Sequence, residues 1–231
     1  MHVKIPPQSK LWGILIRKEL WGLSWRGRLL ITLIVLIAGW GLTLKIQPFL
    51  AVTHRVPAKI LVVEGWTHYY GVDAAVKEFN SGHYERILTT GGPEEGMGPS
   101  SAIYDTEAWQ SAELLEKAGI SAKDVQPVPS LSVGRDRTYN AAVTLRKWFR
   151  EHGLQPRSIN VLTEDAHARR TWLLFREALG PGVEVGIISV PNPDYDASHW
   201  WRSSDGVREV VDEGIAYVYA KFFFWPKQAD K

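Results

Sequence analysis

Residues 59–66 read KILVVEGW, and residues 86–92 read RILTTGG. Each is a short β-rich run that stops at glycine, with no polar alternation in the first. A strand covered on both faces needs that pattern. Between the two, Val72–Asn80 has helical spacing and ends at Ser81-Gly82. The unit then recurs. Ile103–Ala118 reads as a helix with Gly119 at its C-cap, Val125–Val128 as a third strand and Thr138–His152 as a helix. Ser158–Thr163 reads as a fourth strand, Ala166–Leu179 as a helix closed by Gly180-Pro181, Val183–Val190 as a fifth strand and Val207–Phe224 as a last helix. Strands alternating with amphipathic helices across short loops specify βαβ units. The expected fold is therefore α/β: a three-layer sandwich with a mostly parallel, about five-stranded Rossmann-like sheet, plus one N-terminal transmembrane helix. No G-x-G-x-x-G follows the first strand, which argues against a standard NAD site.

The chain has 231 residues, 45% hydrophobic and 23% charged, which are globular values. It has no cysteine, so disulfide scaffolds, thiolate metal sites and thiol nucleophiles are excluded. The net charge of +2 conceals a division. Residues 1–28 hold six basic residues and one acid, residues 29–59 three basic residues and no acid, and residues 60–231 hold 18 basic and 24 acidic residues. An acidic body argues against nucleic acid as a partner.

Leu29–Leu44 is uncharged for sixteen residues and is bracketed by Arg28 and Lys45. At 1.5 Å per residue it spans about 24 Å, and Ile46, Phe49 and Leu50 extend its apolar length. A cleaved signal peptide is the rival, but the preceding segment is long and no small-x-small site follows. The expected organisation is a basic amphipathic cytoplasmic segment (1–28), a signal anchor (29–50), a linker (51–57) and an α/β domain (58–231). Six Lys/Arg precede the span and three follow it, so the positive-inside rule puts the N-terminus in the cytoplasm and the domain outside the inner membrane. Trp12, Trp21 and Trp25 among basic residues suit an anionic lipid surface. Phe222-Phe223-Phe224-Trp225 cannot all enter one core, so some would touch the bilayer near the anchor or a partner.

In an open parallel sheet, ligands bind beyond the carboxyl ends of the strands. Glu64 follows the first strand and is either a general base or hydroxyl partner, or a loop carboxylate capping the next helix. Gly91-Gly92 after the second strand either aims amides at an anion or makes a tight turn. Arg135 and Arg137 precede a helix whose expected N-cap is Thr138, an arrangement suited to phosphate or carboxylate or to a surface ion-pair loop around Asp136. His167 and Arg170, at i and i+3, share one helix face, and Arg169 is rotated about 200° from His167 toward solvent or an acid. Ala168, Trp172, Phe175 and Leu179 form the buried stripe of that helix. Glu94-Glu95 lacks companion ligands, and Asp194 and Asp196 could bind metal but are more simply read as a Pro-Asp turn, so no metal site is assigned.

Glycines after the second strand, R-T-Y-N-A at Arg137–Ala141 and T-x-x-x-H-x-x-R at Thr163–Arg170 occur in an order that resembles the ElyC/SanA/YdcF family. The resemblance covers about residues 58–190 and extends to a subset with an E-G-W start and a W-W-R-S-S tail. It implies a Rossmann-like domain, often membrane-tethered, with Gly91, Gly92, Thr138, Asn140, His167 and Arg170 around one pocket. It also implies a role in cell-envelope or surface-polysaccharide assembly. One branch is associated with S-adenosylmethionine, but an outward-facing domain lies away from that cofactor, and none is assigned. Two functions stay open. One is an anchored hydrolase or transferase acting on a phosphorylated, small anionic or lipid-linked envelope intermediate, with His167 and Glu64 as acid/base groups. The other is a non-catalytic assembly or sensing factor that uses the same pocket and contacts envelope-assembly proteins.

Overall fold

In a computed structural model the described residues are 9–10, 15–16, 23–93, 106–131 and 136–225. The chain divides into two compact units, residues 1–42 and 43–231. In the first, Ser9–Lys10 and Leu15–Ile16 form a two-residue antiparallel pair. Helix α1 (Trp25–Leu50) is long and apolar enough to cross a membrane, about 39 Å at 1.5 Å per residue. Its last two turns belong to the second unit, where Gln47 and Leu50 are buried.

The second unit is α/β. Strands β1 (Ile60–Glu64), β2 (Arg86–Gly91), β3 (Val125–Pro129), β4 (Ser158–Glu164) and β5 (Glu184–Val190) form one all-parallel sheet in the order β3-β2-β1-β4-β5. The order reverses between β1 and β4, and a crevice beyond their carboxyl ends is the ligand position in such sheets. Helices α2 (Tyr69–Ser81), α3 (Glu107–Lys117), α4 (Arg137–Glu151) and α5 (Ala168–Leu179) supply the outer layers.

Alternate strand residues feed opposite faces. Ile60 and Val62 meet Leu145 and Phe149 of α4 and Phe175 of α5, while Leu61 and Val63 meet Val72 and Ala75 of α2 and Leu115 of α3. Both faces being covered explains the unbroken apolar runs in the sequence. Ala168, Phe175 and Leu179 are buried as their spacing requires, and Trp172 is partly buried, its indole donating to the Val185 carbonyl at 2.6 Å. Helix α6 (Ser204–Phe222) begins three residues before the expected Val207 and is capped by Ser203, whose hydroxyl accepts from the Gly206 amide at 3.0 Å. It packs with Leu50, Tyr195 and Trp200 in a separate core.

The edge strand β5 is covered by the chain leading into β1. His54 exchanges backbone hydrogen bonds with Ile187 at 2.7 and 2.8 Å, and Ser189 donates to the Thr53 hydroxyl at 3.0 Å. That blunts an edge otherwise open to another strand. Next to it, Asn160 accepts from the Val56 amide at 3.0 Å and donates to the Val56 carbonyl at 2.8 Å. The crossing is close enough that a Cβ at Gly186 would fall on the Asn160 side-chain oxygen and lie 2.9 Å from the His54 carbonyl. Gly186→Ala should therefore unseat both hydrogen bonds and lower the unfolding free energy by about 3 kcal/mol, read from urea denaturation of the chain in detergent.

Candidate functional site

A cavity of about 650 Å³ opens at the carboxyl edge of the sheet. Glu64 and Trp66 come from the end of β1, Thr90, Gly91 and Gly92 from the end of β2, and Glu107 from the start of α3. Arg137 and Thr138 come from the start of α4, and His167 and Arg170 from the turn after β4. Leu174, Ala216, Tyr219, Ala220 and Phe224 make an apolar wall, largely from α6 and its exit. One end of the cavity is thus charged and the other apolar.

His167 is held by its neighbours. Its turn begins at Asp165, which is buried at a positive φ of 29°. Such a backbone needs outside support. Gln47 at the end of α1 donates to Asp165 Oδ1 at 2.7 Å, and the Asn192 amide donates to Oδ2 at 3.0 Å. Glu213 Oε1, on α6, lies 2.9 Å from both His167 Nδ1 and Arg170 Nη2, and Oε2 accepts from Arg170 Nε at 2.8 Å. Arg170 Nη2 also lies 2.9 Å from Nδ1, so the ring proton that Glu213 can take is one on Nδ1, and in that tautomer Nε2 is the basic nitrogen. Nε2 sits 3.7 Å from Glu64 Oε2. Glu64 is buried, and the same oxygen accepts from the Thr171 hydroxyl at 2.8 Å. The Trp66 ring stands edge-on to the imidazole at 4.6 Å.

The charges are balanced in pairs. Burial raises the Glu213 carboxyl, but His167 and Arg170 outweigh it and hold Glu213 well below the usual carboxylate range. Burial also lowers the Arg170 guanidinium, yet Glu213 carries it above its ordinary value. Arg137 pairs with Glu107, and the Gly92 amide turns to the same carboxylate. Burial nevertheless raises Glu107, because the arginine and the amide do not fully offset desolvation and nearby Glu64 adds to it. The cradle expected for a ligand anion thus already receives the protein's own Glu107.

The expected residues divide accordingly. Glu64, Gly91, Gly92, Arg137, Thr138, His167 and Arg170 line one cavity. Asn140 is not among its lining residues, and Arg135 lies outside the described residues, as does Glu94-Glu95. Thr138 is not the N-cap of α4: Asp136, in a left-handed conformation at φ 62°, takes that place, and Thr138 is buried in the first turn. Gly91 has φ 151°, and a Cβ there would lie 2.8 Å from Glu107 Cβ, so it admits the start of α3 as well as lining the cavity. Arg169 turns away from His167 as its spacing requires, but onto α1: its guanidinium sits 3.9 Å from the Phe49 ring and donates to the Phe49 carbonyl. Asp196 caps a short 3-10 helix by accepting from the Ser198 amide at 2.8 Å. Among the described residues no group of three His, Asp or Glu is placed to hold a metal.

Glu213 and Glu107 were not visible in the sequence pattern around His167. Glu213 is 46 positions from His167, and its only local signal is an acid on the inward face of α6. Fold and site together define a Rossmann-like α/β protein with a cavity lined by paired acidic and basic side chains at the switch point of its sheet. Compared with models of known protein families and with the curated proteins, the chain matches none.

Glu209 stands one turn before Glu213. Burial, then Glu213, Asp165 and Glu164, push it up to about 7, against a smaller opposing effect of His167. The native state therefore binds an extra proton between the ordinary carboxylate range and about pH 7, and stability falls as pH rises through that window. Glu209→Gln should raise the unfolding free energy by about 1 kcal/mol at pH 8 and leave it little changed at pH 4.5, read from denaturation curves at the two pH values.

Proposed function

We propose that the chain is a membrane-anchored cell-envelope protein of the ElyC/SanA/YdcF type, with its α/β domain outside the cytoplasmic membrane. In this proposal the pocket hydrolyses or transfers a group on an anionic, lipid-linked envelope or polysaccharide intermediate. The observation that carries it is the Glu213–His167 pair. A carboxylate on Nδ1 fixes the imidazole and leaves Nε2 facing a cavity, the arrangement of a general base.

In such a step Nε2 takes the proton of a water or substrate hydroxyl as its oxygen attacks. The imidazolium that forms lies between the carboxylates of Glu213 and Glu64, which stabilise it until it returns the proton to the leaving oxygen. The apolar wall of Leu174, Ala220 and Phe224 suits the hydrocarbon part of the substrate. A family assignment is supported by Gly91, Gly92, Thr138, His167 and Arg170 lining one cavity. Anchoring is supported by α1, and the outward orientation by the excess of Lys/Arg before the span. The second function, binding without turnover, is favoured by the pairing of Arg137 with Glu107 and of Arg170 with Glu213, which serves a sensing pocket equally well.

Mass spectrometry of small molecules carried by the full-length protein, purified in mild detergent, separates these. The enzyme proposal expects an anionic lipid-linked species that wild type consumes and His167→Gln leaves intact, with a rate difference of about 10²-fold or more. Glu213→Gln should lose about as much while the protein still folds. A carried species that both wild type and His167→Gln leave unchanged supports binding alone. A purified protein that carries no anionic species overturns the substrate assignment.

A further inference from the structure

Helix α6 has three faces. Ala216 and Ala220 line the cavity. Gly214 and Tyr217 meet the end of α1: a Cβ on Gly214 would lie 3.4 Å from Ile46 Cδ1, and the Tyr217 ring sits edge-on to Phe49 at 5.4 Å. The third face carries Val207, Val211, Ile215, Val218 and Phe222, and all five side chains are exposed. At about 100° per residue they fall within about 80° of one another, and no charged residue interrupts them. Ile215 and Phe222 are each 64% exposed, values that a water-facing helix of a monomeric domain does not repeat along one stripe.

We propose that this stripe is seated in the surface of the lipid bilayer. Three observations fix the occupant. The stripe adjoins the face that packs on Ile46 and Phe49, and in sequence those residues directly follow the uncharged run Leu29–Leu44 of the same helix α1. Arg208 borders the stripe on one side and Lys221 on the other, as anionic headgroups require. Exposed Phe223 and Trp225 continue it, side chains that favour the membrane–water interface. A second copy fits less well, because antiparallel pairing of two stripes would bring Arg208 of one copy to the Lys221 end of the other. The cavity wall lies on the opposite face of α6, so the pocket would open about one helix diameter, roughly 10 Å, from the headgroups. The seating rests on the membrane span and not on the chemistry of the pocket.

The chain has no cysteine, so each single-cysteine variant carries one label. The full-length protein, labelled with an environment-sensitive fluorophore at Ile215→Cys, Phe222→Cys, Asp212→Cys or Ile34→Cys, is reconstituted into vesicles of phosphatidylcholine and phosphatidylglycerol. A fraction of the lipids bears a nitroxide quencher on the acyl chain near the headgroup. Labels at 215, 222 and 34 should lose about half of their emission or more, and the label at 212 about a tenth or less. Quenching at 34 with 215 and 222 no more quenched than 212 overturns the seating and leaves the anchor standing. No lipid quenching at any of the four overturns both. Emission at 215 and 222 that responds to a labelled second copy and not to the lipid quencher assigns the stripe to a dimer and overturns the proposal.

Discussion

The carboxylate of Glu213 organises the polar end of the cavity. It lies 2.9 Å from His167 Nδ1 and accepts from Arg170 Nε and Nη2, so two cationic or potentially cationic groups on α5 and its entry turn converge on one anion from α6. In a buried setting an unpaired partner is costly, about 3 kcal/mol or more when one side of such a pair is removed. The interaction therefore ties α6 to the sheet edge and fixes the imidazole at the same time. The apolar wall of the cavity and the imidazole that faces it are held by one contact.

The rest of the fold delivers these groups to each other. The reversal of strand order between β1 and β4 leaves a crevice beyond their carboxyl ends, and Glu64 and the His167 turn project there because they terminate those strands. That turn is strained at Asp165 and supported by Gln47, three residues before the end of α1 at Leu50. Arg169 grips the same helix end at Phe49. The foot of the apolar helix is thus part of the scaffold of the site. The last turn of α1 and the turn that carries His167 are coupled through Gln47 and Arg169.

Much of the fold was legible because strands buried on both faces leave little room for polar residues, and glycines mark where each helix stops. The pairing of His167 with Arg170 was legible too, being set by helical periodicity. Other features lay beyond local pattern. Glu213 and Glu107 reach the cavity through tertiary packing, and an acid on a helix face looks the same in sequence whether it meets solvent or an imidazole. Thr138 is a good capping residue by type, but the left-handed turn at Asp136 starts α4 earlier. Arg137 invited an anion; the structure supplies Glu107 instead, as it supplies Glu213 to Arg170, and no window around either arginine contains these acids. Gln47 and Leu50 likewise continue an apolar helix in sequence, and their burial in the α/β unit is set by tertiary packing.

The central claim is the protonation pattern of His167, with the proton on Nδ1 toward Glu213 and a bare Nε2 toward the cavity. Long-range proton–nitrogen NMR correlations of the full-length protein, with nitrogen-15 in its histidines, read this directly. The His167 signals are identified by their loss in His167→Gln. The account predicts a ring protonated at Nδ1 and bare at Nε2, and a changed Nδ1 signal in Glu213→Gln. A ring protonated at Nε2, or an Nδ1 signal indifferent to Glu213→Gln, would contradict it.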